Sequence, residues 1–161
     1  MANRFFNQFG GTLERKVIKL FAKILYTGSP VAPTLVTTAV LNSGTSPVTI
    51  NESQGIESLT NNSGGAFTLY LGNNNGGVPE YDTYVRLLNV SGVGQPAGGS
   101  PTSAVVSTVV LAEDVAGSSG NPSVQLSTLC LNTVTGALST SLPDNGTTLY
   151  VEITLSNTTA Y

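Results

Sequence analysis

The strictest pattern in this sequence is an alternation of apolar and polar side chains close to its C-terminal end. From residue 149 to residue 155, every second side chain is a large aliphatic one: Leu149, Val151, Ile153 and Leu155. The positions between them hold Tyr150, Glu152 and Thr154. Successive side chains point to opposite faces in a β-strand, so this stretch predicts a strand with one buried face. The rest of the chain must supply a layer that covers it.

The composition of the whole chain favours the same secondary structure. Helix formers are scarce, Val and Thr are abundant, and 18 Gly and 8 Pro imply many turns. The 161 residues are enough for one domain with a core of its own. Further strands are predicted at residues 17–26, 35–41, 55–59, 67–71, 81–90, 104–111 and 124–134. Short strands with frequent turns predict an all-β fold, an antiparallel β-sandwich or barrel.

Several local signals refine this prediction. Residues 143–146, Pro-Asp-Asn-Gly, give the strongest turn signal in the chain. Residues 42–55 predict a polar loop with a short segment at Val48–Ile50, and residues 92–101, made largely of Gly, Pro and Ser, predict a mobile loop. Residues 104–111 are strongly apolar and predict a central strand. For the strand at 81–90 we expect the core residues to include Tyr84, Leu88 and Val90.

The N-terminal stretch differs from everything that follows it. Residues 1–26 hold five of the six basic residues and four of the five phenylalanines. Gly10 and Gly11 form a flexible joint, so we expect an extended arm at 1–11 and a single β domain at 12–161. Residues 12–26 fit either an amphipathic helix or a strand, and we favour a helical turn near 12–16 followed by a strand from about Val17.

Charge is distributed as unevenly as the aromatic residues. Residues 1–23 carry five bases and Glu14, a net +4, whereas residues 24–161 carry Arg86 and eight acids, a net −7. An acidic body disfavours nucleic acid as a partner, while a basic arm suits an acidic protein surface or a neighbouring copy. The arm's aromatic rings either fold back on their own domain or dock on another subunit. The predicted partner-binding residues are Arg4, Phe5, Phe6, Phe9, Arg15 and Lys16.

The residues available for chemistry are few. The chain has no histidine, and its one cysteine, Cys130, excludes an intrachain disulfide and is expected to be a small buried residue. The acidic pairs Glu80 with Asp82 and Glu113 with Asp114 could contribute to a calcium site, but such pairs in loops are more often solvated. We therefore expect no enzyme activity, no cofactor and no metal.

The sequence also carries expectations about location. No apolar run approaches the roughly 20 residues that span a bilayer, and the start of the chain does not read as a signal peptide, so we expect synthesis in a cytoplasm and no membrane partner. Arg86, the only base after residue 23, is expected to pair with an acid in a neighbouring strand or across a subunit contact.

The opening residues, MANRFFNQFGGTLERKVIKLFAKI, resemble the start of small virion structural proteins from tailed bacteriophages. Residues 32–35, 55–59, 67–71 and 146–157 also resemble segments of that group, whereas the long loops at 73–77 and 92–101 depart from it. The resemblance implies a decoration (cement) protein on the capsid surface of the virion, bound to the major capsid protein. Local three-fold axes of capsids favour a homotrimer, with a symmetric dimer as the alternative.

Two other functions compete with this one. A fibre or tail component that binds a receptor or glycan would use Tyr81, Tyr84 and the Asn-rich loops. An enzyme would need a second carboxylate close to Glu80 or Asp82. Copy number separates the first two functions, because a decoration protein is present in hundreds of copies per particle and a tail part in a handful.

Overall fold

The computed structural model describes residues 17–41, 48–72, 86–116 and 121–156 of the chain. Their regular elements are all strands: β1 Val17–Thr27, β2 Ala32–Val36, β3 Thr38–Leu41, β4 Val48–Asn51, β5 Ile56–Ser63, β6 Ala66–Leu71, β7 Arg86–Gln95, β8 Ser103–Asp114, β9 Ser123–Asn132, β10 Leu138–Thr140 and β11 Thr148–Ser156. The predicted all-β fold is confirmed. The predicted arm at 1–11 and helical turn at 12–16 lie outside the described residues.

The strands form two antiparallel sheets that pack as a β-sandwich. The first sheet has the order β2-β1-β11-β7. In the second sheet, β8 lies on one side of β9, β6 and β10 lie on its other side, and β5 pairs with β6. Strands β3 and β4 make a separate hairpin. Of the sandwich and barrel predicted from sequence, the sandwich is therefore the one observed.

One apolar core fills the space between the two sheets. The first sheet contributes Ile18, Leu20, Ala22, Ile24 and Tyr26 from β1 and Leu149, Val151, Ile153 and Leu155 from β11. The second sheet contributes Phe67, Leu69 and Leu71 from β6 and Val124 and Leu126 from β9. Every second side chain of these strands is buried, which confirms the alternation predicted from the sequence. Full burial of one such side chain stabilises the fold by roughly 1.5–3 kcal/mol.

For residues 17–26, β1 settles the choice between helix and strand. It pairs with β11 from Val17↔Ser156 to Leu25↔Thr148. In this register every second residue of β1 points into the core, which a helix could not achieve with the same residues. The strand predicted from about Val17 is confirmed.

The mobile loop predicted at 92–101 is wrong over its first four residues. Strand β7 continues to Gln95 and pairs with β11 as far as Thr148↔Gln95. The glycines that suggested a loop are needed for packing, because a Cβ on Gly92 would overlap the side chain of Thr108 and one on Gly94 would overlap Val105. Both facing residues belong to β8, so these glycines let β7 and β8 approach closely where the two sheets meet.

The prediction of Leu88 as a core residue is also wrong. The register between β7 and β11 shifts after Thr154, and Leu88 falls at the shift between Leu87 and Asn89. Leu87 and Val90 pack against the core, whereas Leu88 is 48% exposed. A single extra residue at a β-bulge reverses which side chains point inward. Tyr84 lies outside the described residues.

The apolar segment 104–111 is not the central strand that its composition predicted. Among the described residues β8 pairs only with β9, at the edge of the second sheet. Its register shifts twice, which leaves Val106 and Leu111 outside the ladder at 49% and 50% exposed. A continuous apolar run is typical of a strand buried on both faces, but here bulges turn apolar side chains outward.

The turns between strands agree with the sequence predictions more closely than the outer strands do. The turn predicted at 143–146 is confirmed, with Gly146 at a φ of 84° and Thr147 N donating to Asp144 O at 3.1 Å. The β5–β6 hairpin is confirmed, and Cys130 is buried as predicted. The strand predicted at 35–41 is divided at Thr37 into β2 and β3. No helix in the described part of the chain is long and apolar enough to cross a bilayer.

Candidate binding surface

The outer face of the first sheet carries exposed aromatic side chains at its centre. Phe21 of β1 is 42% exposed, Tyr150 of β11 is 43% exposed, and Val93 of β7 is 68% exposed. Together with Ser91 and Glu152 they border a depression of about 340 Å³. We call these five residues the aromatic hollow.

Strand register explains why these side chains meet. Lys23 of β1 lies opposite Tyr150, and Tyr150 lies opposite Val93 of β7. In the neighbouring row, Phe21 lies opposite Glu152, and Glu152 opposite Ser91. Residues paired across adjacent strands have Cβ atoms about 5 Å apart, so two such rows bring the rings close together on a rigid surface.

Two ion pairs flank the aromatic hollow. Lys19 Nζ lies 2.9 Å from Glu152 Oε1, and Lys23 Nζ lies 3.2 Å from Glu52 Oε2. Lys23 Nζ also lies 5.9 Å from the centre of the Tyr150 ring. Such pairs on a surface contribute about 0–1 kcal/mol of stability, so their main effect is to fix side chains and cancel charge. Two of the five N-terminal bases are thus paired with acids of their own domain.

A buried serine positions the acidic partner of Lys23. Ser53 Oγ donates to Val36 O at 2.7 Å and accepts a hydrogen bond from Lys23 N at 3.0 Å. The next residue, Gln54, exchanges two backbone hydrogen bonds with Phe21, at 2.7 and 3.0 Å. These contacts hold Glu52 beside β1. The sequence predicted only a polar loop here, because a serine whose partners lie 17 and 30 residues away leaves no local signal.

The residues predicted to bind a partner, Arg4 to Lys16, all lie outside the described part of the chain, as do Glu80, Tyr81, Asp82 and Tyr84. The predicted segment immediately precedes Val17, the first residue of β1, and Phe21 lies on that strand. The segment and the aromatic hollow are therefore neighbours along the sequence. Arg86 is described and lies opposite Ser156 in the register, but its predicted ion pair stays a prediction.

The other acidic pair lies on the second sheet. Glu113 and Asp114 border a polar depression of about 410 Å³ together with Tyr70 and Gln125. Glu113 Oε2 accepts a hydrogen bond from Val115 N at 3.3 Å. Within the described ranges, no three His, Cys, Asp or Glu side chains are grouped as a metal ion would require.

The arrangement of the aromatic hollow suits binding by contact. Ring faces and an aliphatic side chain offer apolar area, while Ser91 and Glu152 offer polar atoms at the border. Exposed aromatic residues surrounded by polar ones are typical of protein–protein contact sites. In comparisons with known proteins, no family model, no curated protein and no solved structure matches this chain.

Proposed function

We propose that the protein is a decoration protein of a tailed-bacteriophage head, which binds the major capsid protein and stabilises the shell. The observation that supports it best is the aromatic hollow, an exposed aromatic surface on a rigid sheet. The resemblance of the opening residues to phage virion proteins supports the same function. In the sequence, Phe21 of the aromatic hollow follows five residues after Lys16, the last of the residues predicted to bind a partner.

Binding through this surface has a straightforward energetic basis. Phe21 and Tyr150 are each more than two-fifths exposed, so a partner that covers them removes apolar area from water. Burying one such ring stabilises a contact by roughly 1.5–3 kcal/mol at most. A capsid surface presents the same site many times, so a modest affinity for each site is enough to coat the particle.

A capsid-binding experiment tests this proposal. Empty capsids assembled without the protein are mixed with the wild type, Phe21→Ala or Tyr150→Ala, and bound protein is measured by co-sedimentation. We expect each variant to weaken binding about tenfold, which corresponds to roughly 1.4 kcal/mol. Val40→Ala is the matched control, because Val40 is 59% exposed on the separate β3–β4 hairpin. Equal affinity of Phe21→Ala, Tyr150→Ala and wild type would contradict the proposal.

A deletion tests the N-terminal segment separately. Removing residues 1–11 should leave the β domain folded, because the described core begins at Ile18. We expect the shortened protein to bind capsids more weakly, and unchanged affinity would remove Phe5, Phe6 and Phe9 from the proposed site. Binding of the wild type to a glycan array without binding to capsids would favour the receptor-binding alternative.

A further inference from the structure

The outer face of the second sheet carries an aliphatic surface at the end where β10 lies. Leu138 of β10 pairs with Leu131 of β9, and Leu131 pairs on its other side with Ala104 of β8. Leu129 and Val109 extend the same face along β9 and β8. Leu138 is 59% exposed and Val109 is 36% exposed. We call these five residues the aliphatic patch.

The segments that build the aliphatic patch contain no charged residue. None occurs from residue 87 to residue 112, or from residue 115 to residue 143. The carboxylate nearest Leu138 in sequence is that of Asp144, and it accepts hydrogen bonds from Thr102 N, Thr102 Oγ1 and Ser103 N at 2.6–3.1 Å. The centres of protein interfaces are depleted of charge in the same way.

The opposite end of β8 is acidic. Glu113 and Asp114 pair with Val124 and Ser123 of β9. From Ala104 to Asp114 the strand extends about 30 Å, at about 3.3 Å per residue. The second sheet therefore changes along β8 from an uncharged aliphatic end to an acidic end. A partner that covers the aliphatic patch must be uncharged there and must avoid the acids.

We propose that the aliphatic patch binds the same patch of a second copy of this chain, with the β8 strands of the two copies antiparallel across the contact. A second copy presents an equally uncharged surface, so no charge loses its hydration in the contact. A two-fold axis perpendicular to the strands places patch on patch and the two acidic ends at opposite sides. A parallel arrangement would place Glu113 and Asp114 of both copies together, where like charges repel.

This contact is separate from the proposed capsid site, because the two surfaces lie on opposite outer faces of the sandwich. It is an isologous contact, in which each copy contributes the same residues. Since the patch spans only β8, β9 and β10, we expect reversible association that depends on protein concentration. The proposed contact corresponds to the symmetric dimer and not to the homotrimer expected from capsid symmetry.

Sedimentation equilibrium over a concentration series tests the proposal with four proteins. We expect the wild type to be in monomer–dimer equilibrium, and Leu138→Lys to raise the dissociation constant at least about tenfold. Leu138→Met keeps an apolar side chain and should dimerise like the wild type. Val93→Lys places the same charge in the aromatic hollow and should also dimerise like the wild type.

The outcomes separate this proposal from capsid binding. Leu138→Lys should still bind capsids, whereas Val93→Lys should bind them weakly. A wild type that stays monomeric, a trimer, or a Leu138→Lys variant that dimerises normally would overturn the dimer without affecting the capsid proposal. Thermal unfolding checks that Leu138→Lys is folded, and Val109→Lys takes its place if it is not.

Discussion

The two outer faces of this sandwich differ in chemistry although they cover the same core. The face of the first sheet combines Phe21 and Tyr150 with two Lys–Glu ion pairs. The face of the second sheet is aliphatic and free of charge at one end, and acidic at the other. The first suits a partner with mixed polar and apolar groups, and the second suits an uncharged copy of itself. Similar alternating strands thus produce two surfaces with separate proposed roles.

The largest effect on the free energy of unfolding is expected when the same substitution, Phe to Ala, is made in the core and on the outer face. Phe67 is fully buried, whereas Phe21 is 42% exposed on the outer face of the first sheet. We expect Phe67→Ala to lower the free energy of unfolding by about 3–5 kcal/mol, and Phe21→Ala by roughly 1 kcal/mol or less. Urea denaturation measures both. Equal losses would mean that Phe21 belongs to the core and that the aromatic hollow is misassigned.

A smaller loss of stability is expected from a substitution where β7 packs against β8. This contact holds one edge of the first sheet against the second. Gly92→Val places a side chain where Thr108 already lies, so we expect a loss of about 1–3 kcal/mol from overpacking. Ser91→Val is the control, since Ser91 is the exposed neighbour on the same strand. If both variants unfolded at the same urea concentration, β7 and β8 would not pack as closely as described.

The Asp144 carboxylate, which accepts hydrogen bonds from residues at the start of β8, makes the stability of the protein depend on pH. Burial raises the pKa of this carboxyl, but hydrogen bonds from Ser103 and Thr102 outweigh it and hold the pKa below its ordinary value. Because the pKa of Asp144 is lower in the folded state, its ionised carboxylate stabilises the fold at pH values above the unfolded-state pKa of about 3.9. That stabilisation is lost as the pH falls through the folded-state pKa.

The corresponding variant is Asp144→Asn. We expect it to unfold at a lower temperature than the wild type at neutral pH, by less than Gly92→Val does. The difference should shrink as the solution is acidified below the ordinary Asp pKa. Thermal unfolding followed by circular dichroism across that range measures it, and a difference that stays constant with pH would contradict the role of the charged carboxylate.

The smallest effect is expected from the ion pairs beside the aromatic hollow. Lys19 is the more exposed of the two lysines, so we expect Lys19→Gln to change the free energy of unfolding by less than about 1 kcal/mol. Added salt should reduce even that difference, because exposed charges are screened. A large loss that persists in high salt would show that the pair has a structural role beyond fixing Glu152.

Much of the core was predictable from the sequence, because β6 and β11 alternate strictly, one face of β1 is wholly apolar, and the register follows from burying these faces. The sequence could not predict which glycines terminate a strand and which permit close packing, so the predicted strand ended at residue 90 whereas β7 continues to Gln95. It could not locate the bulges near Leu88, Val106 and Leu111, which turn apolar side chains outward. The aromatic hollow depends on pairings between strands far apart in sequence. The sequence could predict which side chains of β1 and β11 share an outer face, but not which strands lie beside each other.

The central claim is that the two outer faces bind different partners, and a cryo-EM reconstruction of capsids coated with the protein tests it most directly. We predict that Phe21, Tyr150 and Val93 lie against the major capsid protein, and that the aliphatic patch faces away from the shell or contacts a second copy. Density in which Leu138 and Leu131 lie on the capsid while the aromatic hollow faces solvent would contradict the account.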